Sequence, residues 1–309
     1  MAILFRSTPA ATVRWRPLLG ELMPQHEFRF WPDLGDKASI EYALVWQPER
    51  GMLASLPNLK LIVGLGAGVD HLLGDPLFPK AVPIVRLVDP YMTDAMSEYV
   101  ALSVLRLHRQ DLDYLAQQRA RVWEEREQKN AAERTVGILG FGTLGQDAGN
   151  KLKALGFEVA GWSRGAKAVP GFATFAGAAG FEQFLARSDI LVCLLPLTPE
   201  TEGILDAAAF ARLPRGAGLV NAGRGGHLIE PDLIAALESG QLSGAVLDVV
   251  RQEPLPAEHP FWTHPRIILT PHIAAETHPE TAAAIIRDTI TRFEAGLPVA
   301  NQVDLTRGY

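Results

Sequence analysis

One cysteine, Cys193, in 309 residues excludes an intramolecular disulfide framework and any cysteine-based metal cluster. A reducing, cytoplasmic setting is the default that follows. No apolar run approaches the roughly 20 residues of a membrane span. The opening Met1-Ala-Ile-Leu-Phe5, broken at once by Arg6, is too brief for a signal h-region. Lysine and arginine form no dense block, and the net charge is -6, which argues against nucleic acid or an anionic membrane as partner. The eight histidines show no H-x-x-x-H or H-E-x-x-H spacing with acidic support, so no metal site is expected. A chain that is 48% hydrophobic and of this length reads instead as a soluble protein of two domains with a small-molecule partner.

What is present is an alternation of short apolar runs with helical patterns and no hairpin signals. In the first part the runs are 3–5, 28–31, 43–46, 59–63 and 83–88, with a helix around 13–22. In the second they are 135–140, 158–163, 189–195, 218–221, 245–250 and 267–270, with helices at 181–185, 206–213 and 231–237. Repeated β/α alternation predicts parallel sheets covered by helices, hence an α/β protein. Between Asp94 and Asn130 there is neither Pro nor Gly, so one long helix or two in tandem are expected. The stretch from Arg109 to Lys129 is heavily charged, with Tyr114, Leu115, Val122 and Trp123 interspersed. It reads either as a solvated face or as an arm packing on a second subunit. Cys193 falls in an apolar run and reads as a small core residue.

The chain is organised around Val136-Gly-Ile-Leu-Gly140-Phe-Gly142-Thr143-Leu144-Gly145, an apolar run that empties into glycines at G-x-G-x-x-G spacing, with a helical pattern directly behind. Gly140 permits a sharp turn, Gly142 admits a pyrophosphate close to the backbone, and Gly145 lets helix and strand pack closely; the helix N-terminus then faces the phosphates. A fold of this type that binds NAD carries an acidic residue about 20 residues further on, at the end of its second strand. Here that strand ends Trp162-Ser163-Arg164, and Lys167 follows. A hydroxyl and two cations suit a 2′-phosphate, which an Asp would repel, so NADPH is expected over NADH; the alternative is a merely solvated basic loop. A second glycine-rich turn, Gly64-Leu-Gly66-Ala67-Gly68-Val-Asp70, follows an apolar run in the first part. Its successive N–H groups would suit a carboxylate, unless it is only a tight connection.

Three stretches near strand ends hold reactive side chains: Asn221-Ala222-Gly223-Arg224-Gly225-Gly226, Asp248-Val-Val-Arg-Gln-Glu253-Pro-Leu-Pro256, and Leu269-Thr-Pro-His272-Ile-Ala274. Ligands of open α/β sheets bind at such ends. An imidazole can donate a proton near neutral pH, a carboxylate beside it favours imidazolium, and a guanidinium can grip a carboxylate and polarise a carbonyl from one planar fork.

With these motifs, and with Leu195-Pro196-Leu-Thr-Pro-Glu-Thr201, Gln302-Val-Asp304 and Arg307-Gly-Tyr309, the sequence resembles the D-isomer-specific 2-hydroxyacid dehydrogenases, glyoxylate/hydroxypyruvate reductase A type, over essentially its whole length. The resemblance implies two lobes hinged about a cleft. One is a Rossmann-type dinucleotide-binding domain (98–280), the other a discontinuous flavodoxin-like substrate-binding domain (1–97 and 281–309). It implies a homodimer that reduces small 2-oxoacids with NADPH, NADH serving less well. The catalytic residues carried over are Arg224, Glu253 and His272; the substrate would also meet Gly66, Ala67, Gly68 and Trp46, the last equally readable as core packing. The implied cofactor contacts are Gly140, Gly142, Thr143, Leu144, Gly145, Ser163, Arg164, Lys167, Leu195, Pro196, Thr201, Ala222, Gly223, Asp248, His272 and Ala274. Gly226-His227 after Arg224-Gly225 departs from many relatives, which have a larger apolar residue there, and is expected to loosen the loop. Two alternatives remain: a relative with another preferred acid (D-lactate, phenylpyruvate or phosphoglycerate type), and a non-catalytic nicotinamide-sensing protein on the same fold.

Overall fold

The computed structural model describes residues 1–306 and 308, so Arg307 and Tyr309 of the family-like tail lie outside the described residues. The chain divides into two compact units, Met1–Met92 with Glu276–Tyr309, and Thr93–Ala275. These junctions precede the expected 97/98 and 280/281.

The first unit holds a parallel sheet of β1 (Ala2–Arg6), β2 (Glu27–Phe30), β3 (Ile40–Val45), β4 (Leu61–Gly64) and β5 (Ile84–Arg86). Their spatial order is β2-β1-β3-β4-β5, the flavodoxin-like order. Both faces are covered, because strand residues alternate sides. Ile3, Phe5, Leu44 and Leu61 pack with Trp15 and Leu19 of the helix Pro9–Leu22 and with Ala282, Ile286 and Ile290 of the helix Pro279–Glu294. Leu4, Ala43, Val45 and Ile62 face the other way, onto Leu53, Leu56 and Leu72. The C-terminal helix thus completes the core of the N-terminal unit.

The second unit holds β6 (Thr135–Leu139), β7 (Glu158–Ser163), β8 (Ala173–Ala176), β9 (Ile190–Cys193), β10 (Ala217–Asn221), β11 (Leu242–Leu247) and β12 (Ile267–Leu269). The order β12-β11-β10-β9-β6-β7-β8 is that of a Rossmann sheet with one strand added, and the order reverses between β6 and β9. Leu139, Leu191, Cys193 and Leu219 build the core on one face; Val136, Ile138, Val192 and Val220 build it on the other. The edge strand β8 has no counterpart in the apolar pattern, since Ala173-Thr-Phe-Ala176 is short and only half-buried.

The Asp94-to-Asn130 pattern resolves into two helices in tandem, Pro90–His108 and Asp111–Ala120. Gln110, with φ 59°, breaks them, and Arg121, with φ 57°, ends the second. Residues 122–130 are not helical, and Leu115, Val122 and Trp123 are exposed, Trp123 completely. Cys193 is fully buried at the end of β9, and burial pushes its thiol up to about 12. Among the described residues no helix is long and apolar enough to cross a membrane, and no group of metal-ligating side chains assembles.

Candidate active site

The glycine loop leaves β6 where the strand order reverses. Gly140 has φ +92°, and a Cβ there would lie 2.6 Å from the Leu194 carbonyl oxygen at the exit of the neighbouring β9. A Cβ on Gly145 would meet the Gly140 oxygen at 2.4 Å, so the first turn of the helix Thr143–Ala154 can sit against the strand end only with glycine in that position. Gly142 differs: nothing lies within 4 Å of where its Cβ would point. It is the N-cap of that helix without a side-chain cap, so the first-turn N–H groups, those of Thr143, Leu144 and Gly145, have no partner within the helix, next to the open space at Gly142. That space suits a pyrophosphate. Ser163 ends β7, half-buried, with exposed Arg164 and Lys167 beyond it, and the Lys167 ammonium donates to the Phe141 carbonyl within the loop at 3.2 Å. Strand, loop and basic side chains therefore fit a dinucleotide that ends in a 2′-phosphate.

Two further turns stand beside this loop. After β9, Leu195 and Pro196 lead into a turn closed by Thr201, whose hydroxyl donates to the Pro196 oxygen at 2.8 Å and accepts the Thr198 N–H at 2.9 Å. After β10, Ala222 and Gly223 are buried and Arg224 is half-buried. The Asn221 side chain brackets them, accepting the Gly223 N–H at 3.2 Å and donating to the Arg224 oxygen at 3.1 Å. A Cβ on Gly225 would fall 1.9 Å from the carbonyl carbon of Val250, so glycine is obligatory there. The expected loosening by Gly226-His227 is not found. Gly226 packs under Leu197, where a Cβ would be 2.9 Å from a side-chain methyl, and its oxygen accepts the Gly203 N–H at 2.9 Å. His227 is fully buried.

After β12 the backbone turns at His272, held at φ 58°. Such a conformation costs on the order of 1–3 kcal/mol outside glycine and needs support. Asp248, buried at the end of β11, supplies it. Its carboxylate accepts the Thr270 hydroxyl at 2.6 Å and the N–H groups of Ile273 at 2.9 Å and Ala274 at 2.8 Å, while its own carbonyl accepts the His272 N–H at 2.8 Å. The Tyr99 hydroxyl bonds Thr270 at 2.7 Å and extends this network to the helix Pro90–His108; burial raises the Tyr99 phenol to about 12. The ring so placed has Nδ1 2.8 Å from Glu253 Oε2. Burial alone would raise the Glu253 carboxyl, but the His272 hydrogen bond and charge, the Val250 N–H and the Arg224 charge outweigh it and hold the group below the usual 4.5. Arg224, Glu253 and His272, taken from the ends of three strands, are thus brought together.

The sign of that shift gives a pH prediction. A lowered folded pKa means that the Glu253 carboxylate contributes stability above 4.5 and that this contribution is lost as pH falls through the lower folded value. Glu253→Gln removes the anion opposite the ring, so the alkaline limb of the kcat/KM profile should move to lower pH. An unmoved limb would rule out the pairing.

The remaining expected residues lie in the first unit. Trp46, just past β3, is half-buried and lies across Gly66, where a Cβ would be 2.9 Å from the indole; it also packs on the His71 ring at 4.6 Å between centroids. Gly66 is buried, and Ala67 and Gly68 are half-buried in the turn after β4. Asn221, Tyr99, Thr270 and His227 were not singled out as site residues from the sequence. The available signals were a polar residue ending a buried apolar run, for Asn221, and the i, i+3 spacing from Arg224, for His227.

A doubly wound sheet with a glycine-rich nucleotide loop at its reversal point, and an Arg/Glu/His group at neighbouring strand ends, defines a dinucleotide-dependent oxidoreductase. Residues 101–274 match the family D-isomer specific 2-hydroxyacid dehydrogenase, NAD binding domain. The chain is 42% identical to the glyoxylate/hydroxypyruvate reductase A of Yersinia enterocolitica, with all of both chains covered. It is similar to the crystal structure of a D-isomer specific 2-hydroxyacid dehydrogenase from Xanthobacter autotrophicus Py2 in complex with NADPH and MES (43% identity, TM-score 0.94, 100% and 99% covered). It is also similar to an NADPH-dependent glyoxylate/hydroxypyruvate reductase from Sinorhizobium meliloti in complex with NADP and sulfate (41%, TM-score 0.93, 100% and 99%). The chain belongs to the D-isomer specific 2-hydroxyacid dehydrogenases.

Proposed function

We propose that this enzyme reduces small 2-oxoacids, glyoxylate and hydroxypyruvate first among them, to D-2-hydroxyacids with NADPH. The observation that carries the reading is the 2.8 Å His272–Glu253 contact within the electrostatic reach of Arg224, beside a loop suited to a dinucleotide. NADPH, when bound, supplies the hydride for the carbonyl carbon. The residues of the chain do the rest. Arg224 binds the substrate carboxylate and polarises the carbonyl. Glu253 fixes the ring through Nδ1, which assigns Nε2 as the nitrogen that protonates the developing oxyanion. The Gly66-Ala67-Gly68 turn is suited to a carboxylate oxygen, and Trp46 stands over it. Leu195, Pro196, Thr201, Ala222, Gly223, Asp248 and Ala274 are proposed as the cofactor contacts beyond the glycine loop. A carboxylate has about four lone-pair sites, so Asp248 keeps one after its three donors.

Preference for NADPH rests on the absence of an acid at the end of β7. Ser163→Asp with Arg164→Ala should invert the NADPH/NADH ratio of kcat/KM by repelling the 2′-phosphate and accepting the ribose hydroxyls; an unchanged ratio refutes the assignment.

The enzyme is further proposed to work as a cytoplasmic homodimer through the segment that exposes Leu115, Val122 and Trp123. Trp123→Glu should then lower the molar mass measured by light scattering from that of two chains toward one. A wild-type protein that sediments as a monomer would refute the arm.

A further inference from the structure

The notable buried group with no part in the reaction above is the His227 imidazole. It lies where the turns after β9 and β10 meet, fully shielded from solvent. Nδ1 accepts the backbone N–H of Arg224 at 3.1 Å, and the Cys193 sulfur stands 3.7 Å from the same nitrogen. Nε2 is 3.3 Å from the Pro196 carbonyl oxygen, which also takes the Thr201 hydroxyl. A Cβ on Gly223 would lie 3.1 Å from the ring, so the glycine before Arg224 makes room for the histidine after it.

These partners leave the ring one protonation state. A backbone N–H can only donate, and burial keeps the Cys193 thiol protonated, so Nδ1 faces donors and must be bare. The Pro196 carbonyl can only accept, so Nε2 must carry the hydrogen. Imidazolium would set an N–H against the N–H of Arg224. The ring is therefore unsuited to proton transfer and well suited to holding two backbones at a fixed spacing.

We propose that His227 is a positioning residue: a neutral, Nε2-protonated imidazole that locks the backbone of Arg224 to the Leu195-Pro196 turn, and so aligns the substrate-binding guanidinium with the cofactor face of the site. The inference rests on the proposed roles of Arg224 and Pro196. Its energetic leverage comes from geometry, since a displacement of about 1 Å in a positioned group costs about 10²-fold in rate.

The experiment compares wild type with His227→Phe, which fills the space and bonds neither backbone, and His227→Asn, whose Oδ1 can accept where Nδ1 does. The measurements are the imidazole 15N shifts, the hydrogen exchange of the Arg224 amide, kcat and KM for glyoxylate, and NADPH binding. Expected are the Nε2–H tautomer, an Arg224 amide protected in wild type and the Asn variant but not the Phe variant, and kcat/KM lowered roughly 10- to 100-fold by Phe and largely restored by Asn, with NADPH affinity little changed. An Nδ1–H ring, a Phe variant with a protected amide and wild-type kcat/KM, or an Asn variant as impaired as Phe would overturn the proposal. If wild type reduces no 2-oxoacid, the reading of the reaction fails, while tautomer and amide exchange still decide the role of His227.

Discussion

His272→Ala is expected to lower kcat for NADPH-dependent reduction of glyoxylate by about 10²- to 10⁴-fold, the usual worth of a general acid, while NADPH is still bound. The ring is held by more than its neighbour. The turn that carries it takes a left-handed backbone conformation, and the Asp248 carboxylate pins that turn through Thr270, Ile273 and Ala274. Alanine in place of His272 removes the proton donor and its pairing with Glu253 but leaves Asp248 and its three bonds intact, so the loss should appear far more in turnover than in thermal stability. Steady-state kinetics with a parallel melting curve separates the two. Retained turnover would remove His272 from the chemistry.

Arg224→Lys should be nearly as damaging, although it keeps the charge. Lysine presents a point charge on a flexible stem and cannot bind carboxylate and carbonyl from one rigid plane. Loss of one charge-assisted hydrogen bond of about 2–3 kcal/mol corresponds to roughly 10²-fold in kcat/KM. The effect should divide between a higher KM and a lower kcat, because the guanidinium is assigned contacts in both ground state and transition state. A KM for glyoxylate equal to that of wild type would contradict the role. Loop geometry makes the result interpretable: the guanidinium donates to the Gly223 oxygen at 2.8 Å, but the Arg224 backbone is also held by Asn221 and His227, and lysine leaves those two contacts in place.

Much of this was legible in the residues. Glycines 140 and 145 each have a backbone oxygen within 2.6 Å of a Cβ position, and 142 opens on empty space, which are the physical demands that the G-x-G-x-x-G spacing encodes. The parallel sheets followed from short apolar runs that alternate with helical patterns without hairpin signals. Other features left no local trace. The strand β8 is four half-buried residues on a sheet edge and has no periodicity to detect. The helix break at Gln110 needs neither Pro nor Gly, only a polar residue that tolerates φ 59°. The contact of His227 with Pro196 joins loops 31 positions apart through a sheet register that no short window contains. Asp248 was expected as a cofactor contact, and its three bonds to the His272 turn became visible only with the backbone in place.

The most direct measurement is the oxidation of NADPH by the purified wild-type protein, followed by absorbance, against a panel of 2-oxoacids that includes glyoxylate, hydroxypyruvate, pyruvate and phenylpyruvate. Turnover with kcat/KM highest for the two- and three-carbon acids glyoxylate and hydroxypyruvate is the predicted result. Tight NADPH binding without oxidation by any member of the panel would contradict it, and would leave a nicotinamide-sensing protein built on the same sheet.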